Sequence, residues 1–198
     1  MFEQVPAWLA VALALTVLLR LTPRARAAPA FPSVPGRVRF LNGAGYTAAM
    51  SQSPSGYDLT PLDDDAIERL AAELSPEERH VLLHHGTERP GCGVFLDNKR
   101  AGTYTCRLCG LPLFRSSAKF DSGTGWPSFF APFDRAHVAF VEDTSHGMHR
   151  VEIRCARCEG HLGHVFPDGP PPTRERYCLN SASLAFVDEG QPIVVKPA

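Results

Sequence analysis

A mainly β domain of antiparallel sheets is predicted by three features of the chain. From Gly86 onward, short β-type runs follow one another between Gly, Pro, Asp and Ser punctuation. One of them, His149-Arg150-Val151-Glu152-Ile153-Arg154-Cys155, alternates polar and apolar residues with the period of two that a half-buried strand requires. The intervals between runs are too short, or too rich in Gly and Pro, for the crossover helices that parallel strands need.

The expected strands are Thr103 to Cys106, Leu111 to Phe114, His137 to Val141, Arg150 to Arg154 and Leu184 to Val187. Two short helices are expected ahead of them. Asp63 to Leu74 forms the first. Ser75-Pro76-Glu77-Glu78 supplies an N-cap, a first-turn proline and a capping-box glutamate for the second, and Gly86 is a natural stop.

The 198 residues suffice for one ordinary domain plus an appendage, and the formal net charge of -1 leaves no basic footprint for a nucleic-acid partner. Residues 1–27 read as a targeting or membrane-anchor segment. Val5 to Leu19 is apolar apart from Thr16, Arg20, Arg24 and Arg26 follow, and Ala25-Arg26-Ala27 resembles a cleavage site. The run is shorter than a membrane span of roughly 20 residues. Its flanks are reversed for a secretory signal, with Glu3 before and the arginines after. Export or membrane anchoring is therefore the first expectation; an organellar presequence and a cytoplasmic protein are the alternatives. Residues 28–60, rich in Pro, Gly, Ser and Ala, read as a flexible linker, 61–190 as the folded domain and 191–198 as a C-terminal tail. A monomer is expected.

The six cysteines divide into four plus two. Cys106-Arg107-Leu108-Cys109 and Cys155-Ala156-Arg157-Cys158 are two Cys-x-x-Cys knuckles, each followed by a strand-breaking glycine, Gly110 or Gly160. Two residues between cysteines let a tight turn aim both sulfurs at one ion, and two such turns complete a closed, sulfur-only site for one structural Zn2+. A pair of structural disulfides is the competing reading. With four thiolates no coordination position stays open, so such an ion does not activate water.

Cys92 and Cys178 stand apart from the knuckles. Arg176 lies two residues from Cys178, and on a strand that puts both on one face, where a cation favours the thiolate. The bland alternative is a buried small hydrophobe, with His161 and His164 as satisfied core or surface histidines.

Ser122-Gly123-Thr124-Gly125-Trp126-Pro127-Ser128-Phe129, His161-Leu162-Gly163-His164-Val165-Phe166-Pro167-Asp168-Gly169 and Arg176-Tyr177-Cys178-Leu179-Asn180-Ser181-Ala182-Ser183, together with Gly86-Thr87-Glu88, resemble the peptide-methionine (R)-S-oxide reductases from about Ser75 to Val187. The resemblance implies two antiparallel sheets in a β-barrel-like domain, short N-terminal helices, a structural zinc, and a catalytic cysteine on an inner strand. It also implies reduction of the R epimer of methionine sulfoxide in oxidised proteins. Cys178 would be the nucleophile, with His161, His164, Asp168, Arg176 and Asn180 around the reacting centre and Trp126 against the substrate methyl group. Attack leaves a sulfenic acid on Cys178, which a second thiol captures. In many members that thiol stands inside the Ser-Gly-x-Gly-Trp-Pro-Ser-Phe motif, where this chain has Thr124. By likeness to a variant of the family the role goes to Cys92, with thioredoxin or an equivalent dithiol as reductant. A zinc-ribbon binding module without catalysis, or a zinc chaperone whose knuckles oxidise, would explain the four knuckle cysteines but not the residues around Cys178.

Overall fold

The computed structural model describes residues 51–198. The targeting or anchor segment, residues 1–27, and most of the linker lie outside the described residues. Among those described, no helix is long and apolar enough to cross a membrane.

Two helices open the domain. In α1 (Asp64–Ala71) the Asp63 carboxylate accepts from the Ala66 N–H at 2.7 Å, capping an otherwise orphaned donor. In α2 (Pro76–His84) the capping box is complete: Glu78 N–H donates to Ser75 Oγ and the Ser75 N–H donates to Glu78 Oε2. The turn out of α2 falls at His85, whose φ is 53°, one residue before the glycine expected to supply it.

Among the described residues nine strands follow: β1 (Gly102–Cys106), β2 (Pro112–Arg115), β3 (Lys119–Phe120), β4 (Ser128–Phe129), β5 (Val138–Asp143), β6 (Arg150–Cys155), β7 (His161–Phe166), β8 (Arg176–Leu179) and β9 (Leu184–Asp188). Every pairing is antiparallel. They form a three-stranded sheet, β2-β1-β9, and a six-stranded one, β3-β4-β8-β7-β6-β5. The mainly β expectation holds, but barrel-like is a loose description. Both sheets are open, ending at β2 and β9 or at β3 and β5. The chain crosses from the smaller sheet to the larger through the 3-10 turn Ser116–Ala118, directly after β2, and returns through the 3-10 turn Ser181–Ser183, directly after β8.

The core lies between the sheets and is largely aromatic. Tyr104 of β1 meets Phe129 of β4 at 5.0 Å between ring centroids, and Phe114 of β2 meets Phe129 at 4.8 Å and Tyr177 of β8 at 5.4 Å. All four are fully buried, each removing enough apolar surface to contribute about 1.5–3 kcal/mol. Tyr177 turns inward on β8, so its strand neighbours Arg176 and Cys178 take the opposite face. The hydrophobic core thus decides which way Arg176 and Cys178 point.

Residues on either side of 61–190 also make contacts with the domain. Residues 51–58 are packed rather than free: Gln52 bridges Asp58, Ser53 is buried with its hydroxyl 2.8 Å from His137 Nε2, and Ser55 binds the Asp134 carboxylate. The tail is also docked, for the Lys196 N–H donates to the Cys109 carbonyl and Arg157 donates to that of Lys196. Backbone groups close to a buried surface need partners, and these two segments supply them.

Candidate active site

Cys178 is half-buried near the middle of the larger sheet. The register sets His164 on one side of it and Ser128 on the other. Directly opposed residues of paired strands share a face, so Glu152, His164, Cys178 and Ser128 form one row across β6, β7, β8 and β4. Close strand approach is possible here because residue 163 is glycine. Its φ is 151°, and a Cβ there would lie 2.0 Å from the Cys178 carbonyl oxygen.

The thiol is flanked by hydroxyls. Thr124 Oγ1 lies 3.9 Å from Cys178 Sγ, and Ser122 Oγ joins Thr124 at 2.9 Å to Ser128 at 2.7 Å. Burial pushes the Cys178 thiol above its ordinary value; Thr124, Arg176 and Ser128 pull the other way without overcoming it. Arg176 does share a face with Cys178 as its spacing predicts, but its charge is largely engaged. It makes two 2.9 Å bonds to the Asp168 carboxylate and stacks over Phe166 at 4.5 Å. Asp168 in turn is held below its usual range by Arg176.

His161 and His164 are three residues apart, a spacing that puts side chains on opposite faces of a regular strand. A register shift corrects this: Ile153 pairs with Gly163 whereas Arg154 pairs with His161, so Leu162 is the extra residue of a bulge. The two rings come to 5.6 Å between centroids. Each is held by a carboxylate. Glu152 Oε1 lies 2.7 Å from His161 Nδ1, and Asp143 Oδ2 lies 2.8 Å from His164 Nε2. Glu152 is almost wholly buried; burial works to raise it, but bonds to His161, Arg154 and His85 outweigh that and hold it well below the carboxylate range. Asp143 is likewise depressed, by Ser145 first and then His164. Burial pushes His164 below the ordinary imidazole value despite Asp143. His161 is buried, and its Nε2 has no hydrogen-bond partner among the described residues.

Asn180 spends its amide on the framework. Its Oδ1 accepts from the Glu88 N–H at 3.1 Å, and its Nδ2 donates to the Leu162 carbonyl at 3.2 Å. Glu88, buried, accepts from the N–H groups of Ser181 and Ala182. Together they fasten the 86–93 loop to the end of the Cys178 strand. Trp126 is fixed by the same loop, donating from Nε1 to the Glu88 carbonyl at 3.1 Å.

Cys92 is exposed. Its neighbour Gly91 donates to the Gly125 carbonyl at 2.8 Å, so the Cys92 loop lies against the turn that carries Thr124. Asp143 and Glu152 complete this arrangement, and the sequence assigned neither a place in it; Glu88, Thr124 and Ser128 entered only as members of the motifs that carry the family resemblance. A buried glutamate inside an alternating strand was the available signal for Glu152.

The four knuckle cysteines are buried and come together, with all ligand atoms within 4.8 Å. Cys106 Sγ and Cys158 Sγ are 3.6 Å apart, as are those of Cys109 and Cys155. A disulfide requires about 2.05 Å, whereas tetrahedral sulfurs at about 2.3 Å from an ion sit roughly 3.8 Å apart. The four could therefore hold a metal ion. The first pair lies at the β1–β2 turn and the second at the β6–β7 turn, so a shared ion would tie the two sheets together. Gly110, with φ 77°, makes the left-handed turn of the first knuckle as expected, but in the second that turn falls on Glu159, with φ 57°, rather than on Gly160.

The SelR domain family model matches residues 74–188, more than half of the chain. The chain is 61% identical over 147 residues to a peptide methionine sulfoxide reductase MsrB of Caulobacter vibrioides, covering 74% of this chain and 92% of that protein. It is 64% identical over 134 residues to a peptide methionine sulfoxide reductase MsrB of Xylella fastidiosa, covering 68% of this chain and 86% of that one. With a thiol, two carboxylate-held histidines and a four-cysteine cluster in the matched region, the chain belongs to the MsrB family of peptide methionine sulfoxide reductases.

Proposed function

We infer that this protein reduces the R epimer of methionine sulfoxide in oxidised proteins, with Cys178 as the attacking thiol. The observation that carries the reading is the placement of Cys178: half-buried, 3.9 Å from the Thr124 hydroxyl, and directly across the sheet from His164.

The sulfoxide sulfur is electrophilic, but its oxygen leaves only if it is protonated, so thiol and proton donor must share one face of the site. Sγ attacks sulfur while a proton reaches the oxygen. The oxygen ends on Cys178 as a sulfenic acid, methionine sulfur gains two electrons, and Cys178 loses two. His161 is suited to pass the proton. Its Nδ1 is engaged by Glu152, leaving the unpartnered Nε2 to hold or release one. His164, anchored by Asp143, and Arg176, anchored by Asp168, shape the polar side of the site. Asn180 and Glu88 act as positioning residues, and Trp126 offers the apolar wall for the substrate methyl.

Burial disfavours the thiolate of Cys178, while Thr124, Arg176 and Ser128 favour it. The Cys92 thiol then attacks Cys178 Sγ, the S–O bond breaks, water leaves and a disulfide forms. Thioredoxin or an equivalent dithiol reduces that disulfide and is itself oxidised. Exposure of Cys92 supports the last exchange. One Zn2+ in the cysteine cluster would supply a structural link between the sheets, with no open position for chemistry.

The reading is tested by offering both epimers of a methionine sulfoxide peptide to the wild type and to Cys178→Ser. R-specific reduction lost in the variant is the expected result. Activity that survives, or that consumes the S epimer equally, would overturn the assignment.

A further inference from the structure

We propose that His85, Glu152 and His161 form a second metal site, one that takes a zinc-class divalent cation and shuts the enzyme off while it is filled. The three offer ligand atoms that all lie within 4.8 Å of one another. One carboxylate oxygen, Glu152 Oε1, stands between two imidazole nitrogens, 2.8 Å from His85 Nδ1 and 2.7 Å from His161 Nδ1.

The donor set selects the class of ion. Two imidazoles and one carboxylate suit zinc and its borderline neighbours, whereas calcium and magnesium call for oxygen throughout. A zinc ion with ligand bonds of about 2.0–2.1 Å needs tetrahedral donors roughly 3.3 Å apart. The three residues therefore have to open by about half an ångström. His85 can give that space, since it lies at the end of α2 and is half exposed. Its exposure also provides the way in.

Glu152 is set up as a ligand by its other oxygen, which Arg154 grips at 2.7 Å. Such an outer partner orients the coordinating atom. The same guanidinium adds positive charge beside the ion, which keeps this site weaker than the four-cysteine cluster and makes its occupancy reversible. Three protein ligands leave a fourth position for water.

The consequence for catalysis rests on the role given to His161 above. An imidazole bound to a cation resists further protonation, so the ring could no longer supply a proton to the sulfoxide oxygen. Free zinc would then act as an inhibitor.

Binding and inhibition are measured separately. Calorimetry uses the full chain with zinc already in the four-cysteine cluster and with Cys92→Ser and Cys178→Ser removing other thiols. One further Zn2+ per chain is expected, weakened about tenfold or more by His85→Ala. No further binding, or undiminished binding in His85→Ala, would overturn the site. Single-turnover methionine formation by the thiol-intact protein is then titrated with Zn2+, each variant referred to its own zinc-free rate. Half-inhibition should move to at least tenfold higher zinc in His85→Ala; an unmoved curve would overturn the inhibitory role. Calorimetry requires no turnover, so a failure of the catalytic reading and a failure of the metal site give different results.

Discussion

Thr124 Oγ1 lies 3.9 Å from Cys178 Sγ, in the turn against which the Cys92 loop packs. The distance is short enough that a sulfur placed there could reach Sγ with a small rotation, given the close Cβ–Cβ approach that disulfides require. If Cys92 resolves Cys178 as proposed, Cys92→Ser should complete about one turnover and then stop, because a sulfenic acid on Cys178 would have no internal thiol to capture it. Adding Thr124→Cys to that variant should restore cycling with a dithiol reductant. Methionine released per chain, with thioredoxin as the electron source, measures both.

The same hydroxyl bears on ionisation. Burial raises Cys178 while Thr124 opposes it, so Thr124→Val removes an opposing influence and moves the thiol further up. In a Cys92→Ser background, the rate of alkylation by iodoacetamide should rise with pH. Its midpoint should lie above that of an ordinary thiol and shift higher still with Thr124→Val. A midpoint that stays in place would mean that the hydroxyl does not reach the thiolate.

Glu152→Gln keeps the shape of the side chain and removes its charge. The variant should lose kcat on the order of a hundredfold or more, the range expected when a general acid is misoriented, with a smaller change in KM. Glu152 also links folding to acid. Its folded-state pKa is depressed, so its contribution to stability is complete above the unfolded carboxyl value of about 4.3 and is lost as pH falls toward the folded value. Thermal melts between pH 7 and pH 3 should therefore fall less steeply for Glu152→Gln than for the wild type.

The tail covers the first knuckle. Lys196 donates from its backbone to Cys109, Arg157 holds the Lys196 carbonyl, and the Lys196 ammonium bonds Glu73 at 2.8 Å. Deleting residues 191–198 should leave the sheets folded but release metal faster to a chelating dye. Turnover should persist for as long as metal is retained. Equal release rates would assign the tail no part in holding the ion.

Local signals in the chain were enough for the elements that close on themselves. Ser75 and Glu78 cap α2 through bonds spanning three residues, and the two Cys-x-x-Cys turns form within a few residues of chain. The alternation of residues 149–155 likewise marks β6 before any partner strand is known. Strand β7 was harder to read, because Leu162 and Gly163 break its alternation. Its regularity depends on β6 and β8, and Gly163 is there to admit the Cys178 carbonyl.

The contacts made by residues 51–58 and by the C-terminal tail are invisible in composition for a related reason. Composition rich in Ser, Pro and Gly reports backbone freedom in isolation. It does not report that Ser53 and Ser55 find His137 and Asp134, or that the tail finds Cys109.

By itself, then, the sequence determined the β class and the four-plus-two division of the cysteines, because each depends on residue types at short spacing. Tertiary structure alone decided that a bulge turns His161 to the face of His164, that Glu152 and Asp143 hold the two rings, and that Thr124 and the Cys92 loop meet beside the thiol. Those relationships depend on strand register and on contacts between distant segments, which side-chain identity along a single strand does not encode.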